Sequence, residues 1–240
     1  MIFLDYQKEK LQQIHDLFKP LEQKPWDDVN VIEAIKNDKS GLLSRAYKCS
    51  LGFHDKTFRH DGSKGVKHPN KLFKMAVYYE IKDINTLVAL WLHDTIEDND
   101  EKLKYDIEMN YPAEVYFIVI GVTRLPKMSD EEHFDFVSKS NERILVKLID
   151  RLHNLRNMVK NLCRNKKFSK KRLKKYIRET EQYVLPLYDN LSPQYEYILT
   201  AEKIIQGISQ ALTIGKEALK IRKEYMVAHQ RSRFIQKLFY

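Results

Sequence analysis

Cysteine is scarce: Cys49 and Cys163 are the whole complement of a 240-residue chain. Two thiols provide no disulfide framework, which fits a reducing compartment. Glycine and proline are also sparse, at seven each, as an all-helical protein would have them. Long strictly alternating runs, the mark of half-buried strands, are missing. No apolar stretch approaches membrane-spanning length, and the N-terminus lacks the basic-then-apolar order of a secretion signal. A cytoplasmic, all-α protein is the expectation.

Leu, Ile, Lys and Tyr are plentiful and fall into helical periodicity. Residues from Ile2 to about Phe18 read as an amphipathic helix ended by Pro20, and a second short helix spans Val29 to Lys36. Pro69 to Tyr79 reads as a helix with proline at its first position, which puts His68 at the helix mouth. Tyr116 to Val122 is the most strand-like run by propensity. A long helical pattern starts at Ser192-Pro193, with apolar residues recurring from Ile198 to Ile221. There is no internal repeat.

The chemistry concentrates in His93-Asp94-Thr95-Ile96-Glu97-Asp98, directly after the apolar run Leu87 to Leu92. On a helix, residues four apart share a face, so His93 sits over Glu97 and Asp94 over Asp98. Ionisable groups leaving a buried segment need compensating partners. A divalent metal compensates an imidazole and several carboxylates at once. Two further candidates are His68 and Asp150, the latter inside the apolar helical run Val146 to Asn154. Asp150 and Asn154 again share a face. His68, His93, Asp94 and Asp150 offer two nitrogens and two carboxylates, which neutralise a dication and leave positions for water. One manganese or another octahedral metal fits this set better than closed tetrahedral zinc.

These blocks and their order resemble the hydrolase domain of the RelA/SpoT alarmone enzymes, a branch of the HD-domain phosphohydrolases. His54 opens the pattern. Phe58-Arg59-His60-Asp61-Gly62 follows, with His68-Pro69 nine residues after the arginine. Then come residues 93–98, Gly121-Val122-Thr123-Arg124-Leu125, and Lys147 through Asn154. A weaker echo at Glu179-Thr180, Tyr183 and Pro186-Leu187 closes a match that runs from about Leu42 to Leu191.

The resemblance implies an HD-type helical bundle over 42–191, a helical N-terminal extension over 1–41 and a helical C-terminal extension over 192–240. The tail is expected to pack back on the domain or to make a homo-oligomer contact. The implied activity is removal of the 3′-diphosphate of guanosine tetra- or pentaphosphate, releasing pyrophosphate and GDP or GTP. His68, His93, Asp94 and Asp150 would hold the metal. Glu97 and Asp98 would orient or deprotonate the attacking water and manage the leaving group's proton. Arg59, His60 and Asn154 would contact substrate, and Lys147 and Arg151 would shape the same substrate wall or serve a structural role, whereas His153 is read as structural and His133 as surface or structural. Fewer than fifty residues follow Leu191, too few for the synthetase domain of the long enzymes, so a small alarmone hydrolase is expected.

The family usually has Arg-Lys-Ser-Gly where this chain has Arg59-His60-Asp61-Gly62, and threonine where Asn157 stands. These departures keep two other readings open: an HD phosphohydrolase acting on an adenosine alarmone or on the 2′-phosphate of NADPH, and a catalytically silent nucleotide-binding regulator. The net charge is +9, with the basic residues clustered in Arg164 to Lys175. No nucleic-acid motif accompanies this run, so it reads as a solvated basic face; a second role is attraction of a polyanionic nucleotide.

Overall fold

The computed structural model describes residues 2–59, 62–96, 101–163 and 170–239. Eleven α-helices carry these residues, and the one extended pairing among them is an isolated antiparallel bridge between Phe58 and Lys64. The all-α expectation holds. No helix among the described residues is long and apolar enough to cross a membrane.

The chain divides into two compact units. One comprises residues 25–153 and 179–206, the other residues 1–24, 154–178 and 207–240. In the first unit, α5 (Ile84–Leu92) is buried at every position from Thr86 to Leu92, as a helix that is apolar all round must be. It packs against α3 (Leu42–His54), α4 (Lys67–Tyr78) and α7 (Ala113–Val122). The Trp91 ring stacks on Phe73 with centroids 3.9 Å apart, and its indole N–H donates to Asn70 Oδ1 at 3.0 Å. Asp83 starts α5 by accepting the Thr86 N–H at 2.8 Å, an N-cap bond that satisfies one otherwise unpaired donor. Helix α4 ends at Tyr78 with Tyr79 as its cap, the next residue Glu80 has φ +62°, and the Ile81 N–H returns to the Ala76 carbonyl at 3.0 Å. This is a Schellman closure.

Several boundaries shift from those expected. The second helix, α2 (Val31–Asn37), begins after Asn30, whose side chain accepts from the Glu33 N–H at 3.2 Å. Helix α4 begins at Lys67, so Pro69 is its third residue and His68 lies inside the first turn. Tyr116 to Val122, strand-like by propensity alone, is buried helix within α7 as the helical bundle implied by the resemblance requires, with Val115, Ile118, Val119 and Val122 buried. Burial in a helical core outweighs the β-branched propensity there. The tail helix starts at Ile198, after turns closed by Tyr195 N–H to Ser192 O and Ile198 N–H to Tyr195 O.

Helices α6 (Glu101–Asn110) and α8 (Asp130–Val137) complete the run before the long α9 (Asn141–Cys163). Ser129 and Glu132 form a capping box at the start of α8, which satisfies two otherwise unpaired N–H groups. In the second unit, α1 (Ile2–Phe18), the end of α9, α10 (Lys170–Glu179) and most of α11 (Ile198–Phe239) bury Ile14, Phe18, Val159, Leu173, Ile208 and Ile221. Arg156 donates to the carbonyls of Leu21 and Gln23, both at 2.7 Å, and Lys10 pairs with Glu224 at 2.9 Å. On α10, Lys171, Arg172, Lys174 and Lys175 are exposed opposite buried Leu173 and Ile177. That part of the basic run is a solvated face, and residues 164–169 lie outside the described ones.

Candidate active site

Helix α5 delivers its C-terminal cap, His93, from the core to a cluster of ionisable groups. The helix ends at Leu92, and His93 to Ile96 follow as turns. Two side chains compete with the helical ladder there: His93 Nδ1 lies 3.0 Å from the Leu90 carbonyl, and Thr95 Oγ1 donates to the Leu92 carbonyl at 2.6 Å. Such local bonds divert the backbone from further helix. The expectation that His93 and Asp94 stack over Glu97 and Asp98 on one helix face is therefore corrected at its first residue. Glu97 and Asp98 themselves lie outside the described residues, as does His60.

Three elements meet at the cluster. His68 comes from the first turn of α4, His93 and Asp94 from the end of α5, and Asp150 from the middle of α9. His68 Nε2 stands 3.0 Å from Asp150 Oδ1 and 3.4 Å from Asp94 Oδ2. His93 Nε2 stands 2.8 Å from Asp94 Oδ1 and 3.9 Å from Asp150 Oδ1. One ligand atom from each of His68, His93 and Asp94 lies within 4.8 Å of the others, and Asp150 closes the set through its approach to both imidazoles.

The electrostatics fit a dication. Burial lowers the His68 pKa, against the pull of Asp150 and Asp94, so its ring is neutral. Burial alone would raise Asp94, but the charge of His93 and its hydrogen bond bring it down to about 2. Asp150 is likewise held well below the usual carboxylate range: the hydrogen bond from His68 and the nearby charges overcome the effect of burial. The Leu90 carbonyl can only accept, so His93 Nδ1 donates to it and Nε2 is the nitrogen turned toward the carboxylates. Two imidazole nitrogens and two carboxylates facing one another are complementary to a positive ion between them. The residues present fit a divalent metal of the nitrogen- and oxygen-liking kind.

The predicted substrate residues are placed unevenly. Arg59 sits in the turn held by its N–H to the Ser63 carbonyl at 2.9 Å, with Gly62 at φ +79°. Its charge acts on His54, His68 and His153, so it lies beside the cluster. A Cβ on Gly65 would come within 1.9 Å of Thr57 Oγ1 and 3.1 Å of His54 Nδ1; only glycine lets this turn close against α3. Lys147 acts on Asp150 and lies 5.8 Å from the Phe134 ring centroid. Arg151 is buried and donates to Glu179 and to Thr180 Oγ1, a structural pairing. Asn154 follows Asp150 by one turn on α9.

Two histidines gain a place that sequence reasoning did not give them. His153 Nδ1 lies 2.9 Å from His68 Nδ1 in a buried contact; its spacing of three from Asp150 was the available signal, since both share a face of α9. His133 is 2% exposed on α8, and among the described residues neither ring nitrogen has a hydrogen-bond partner. No sequence signal separates it from an exposed histidine such as His15.

No protein-family model matches the chain. It is 34% identical over 132 residues to a guanosine-3′,5′-bis(diphosphate) 3′-pyrophosphohydrolase, MESH1 of Danio rerio, covering 52% of this chain and 71% of the relative. The chain belongs to the RelA/SpoT-like hydrolase family. A probable guanosine-3′,5′-bis(diphosphate) 3′-pyrophosphohydrolase of Synechocystis is 30% identical over 165 residues, 62% of this chain and 20% of that protein. A GTP pyrophosphokinase of Streptomyces coelicolor is 30% identical over 159 residues, 62% of this chain and 18% of that protein. The chain thus spans about a fifth of these long members and most of the short one.

Proposed function

We propose that the protein is a metal-dependent phosphohydrolase that cleaves the 3′-diphosphate of guanosine tetra- or pentaphosphate. Water enters, and pyrophosphate leaves with GDP or GTP. The observation that carries this reading is the convergence of His68, His93, Asp94 and Asp150 in a chain whose short relative bears that activity in its name. One Mn2+ per chain is the metal favoured by two imidazoles and two carboxylates. When bound, such an ion supplies Lewis-acid polarisation of a phosphate and a lowered pKa for water.

The chain's own residues do the rest. His68, His93 and the ionised Asp94 and Asp150 would hold the ion without a proton to displace from either carboxylate at neutral pH. Glu97 and Asp98, just beyond the ligands in sequence, orient the attacking water, take its proton and return one to the leaving group. Arg59, beside the cluster, holds a phosphate or stacks on the base, and His60, Lys147 and Asn154 complete the substrate wall. Arg151 acts on this wall through its pairing with Glu179.

The test is a panel of nucleotides incubated with manganese-loaded protein, with products identified by 31P NMR and ion-pair chromatography. Guanosine tetraphosphate should yield GDP and pyrophosphate. An intact tetraphosphate, or faster cleavage of an adenosine alarmone or of the NADPH 2′-phosphate, overturns the substrate assignment.

A further inference from the structure

The two imidazoles of the cluster are oriented by different kinds of partner. His93 Nδ1 faces the backbone carbonyl of Leu90 at 3.0 Å. A carbonyl has no proton to give, so Nδ1 of this ring keeps its proton and only Nε2 can offer a lone pair to a metal. His68 Nδ1 instead faces His153 Nδ1 at 2.9 Å, with ring centroids 4.9 Å apart. Both rings are buried, at 2% and 9% exposure. One proton lies between those two nitrogens, and either ring can carry it.

The two placements have opposite consequences at the cluster. With the proton on His153, neutral His68 carries its own on Nε2, where it donates to Asp150 Oδ1 at 3.0 Å. That arrangement satisfies the carboxylate but offers a metal no lone pair. With the proton on His68 Nδ1, the Nε2 lone pair is presented and His153 Nδ1 accepts.

We propose that His153 is a positioning residue whose imidazole switches with His68 between two tautomers, selecting the ligating one only when the cluster is loaded with metal. The proposal rests on the metal reading above. Protons balance: His68 releases its Nε2 proton to water and gains the shared one at Nδ1, while His153 gives up the shared one and takes one from water at Nε2. Neither ring changes charge. His93 is preset by backbone, so His68 alone carries the switching step, and partners that fix a ligand's tautomer are worth about 10–100-fold in metal affinity.

The experiment measures Mn2+ affinity by chelator competition on the full chain, in the parent, His153→Phe and His153→Gln. His153→Phe should weaken binding about tenfold or more. His153→Gln places an amide oxygen that can accept from His68 Nδ1 and should recover most of the affinity. In the parent, 15N NMR of the histidine rings should show His68 Nδ1 changing from unprotonated without metal to protonated with Zn2+ as a diamagnetic probe. Parent-like Mn2+ affinity in His153→Phe, or an unchanged His68 tautomer on loading, overturns the switch and leaves the metal site standing. A parent that binds no metal overturns both. If His153→Phe does not fold, the NMR arm decides alone.

Discussion

His133 should be more stable replaced than kept. Its ring is 2% exposed, and among the described residues neither Nδ1 nor Nε2 is hydrogen-bonded. Each unmet buried polar atom costs about 1–3 kcal/mol. His133→Leu removes both atoms at similar volume and improves helix propensity inside α8. Part of the gain is returned because a branched side chain does not reproduce a flat ring, a mismatch that costs up to about 1.5 kcal/mol. The net expectation is stabilisation of about 1–2 kcal/mol, which for a chain of this size is a rise of roughly 2–8 °C in melting temperature. The gain should widen in acid. Burial, followed by Lys147, Arg124 and Arg151, lowers the His133 pKa from 6.5 to about 3. The unfolded chain therefore takes up a proton below pH 6.5 that the fold refuses. The stability tied to the neutral ring is complete above pH 6.5 and is lost as pH falls toward 3, and the leucine variant escapes that loss. Calorimetry of metal-free protein at pH 7.5 and pH 5.5 checks both points. A variant that melts below the parent at both pH values, or with a constant offset between them, refutes the reasoning and gives His133 a partner or a role that its surroundings do not show.

Chelation should abolish turnover, and among added metals manganese should restore it best; full activity with no metal by elemental analysis would remove the cluster's assigned role. Glu97→Gln with Asp98→Asn should lower turnover by about two orders of magnitude, the usual scale of general acid–base contributions, while Mn2+ affinity stays at the parent value; parent-like rates would make that pair structural. Arg59→Ala should raise KM for guanosine tetraphosphate roughly tenfold or more, the scale of one hydrogen bond between charged groups. If kcat falls with KM unchanged, Arg59 acts on the reaction rather than on substrate capture.

Composition and periodicity agreed with the all-helical architecture that the resemblance implied, because apolar spacing expresses itself locally. Helix α1 begins and ends where its pattern does, at Ile2 and Phe18, and the all-apolar run around Leu90 could only be interior. The residue types of the cluster were legible too, since an imidazole and carboxylates next to a buried run need compensating partners. The tertiary structure decided what local pattern cannot reach. It ended α5 at Leu92, because Thr95 and His93 return bonds to nearby carbonyls, and so separated the ligands from the helix-face geometry their spacing suggested. It brought His68 within 3.0 Å of Asp150 across 82 positions of sequence. It assigned Arg151 to Glu179 and Thr180, and it set His153 against His68. The reason is physical: a helix's own sequence specifies which side chains share its face, while the groups facing them come from other elements, and their distances exist only after those elements pack.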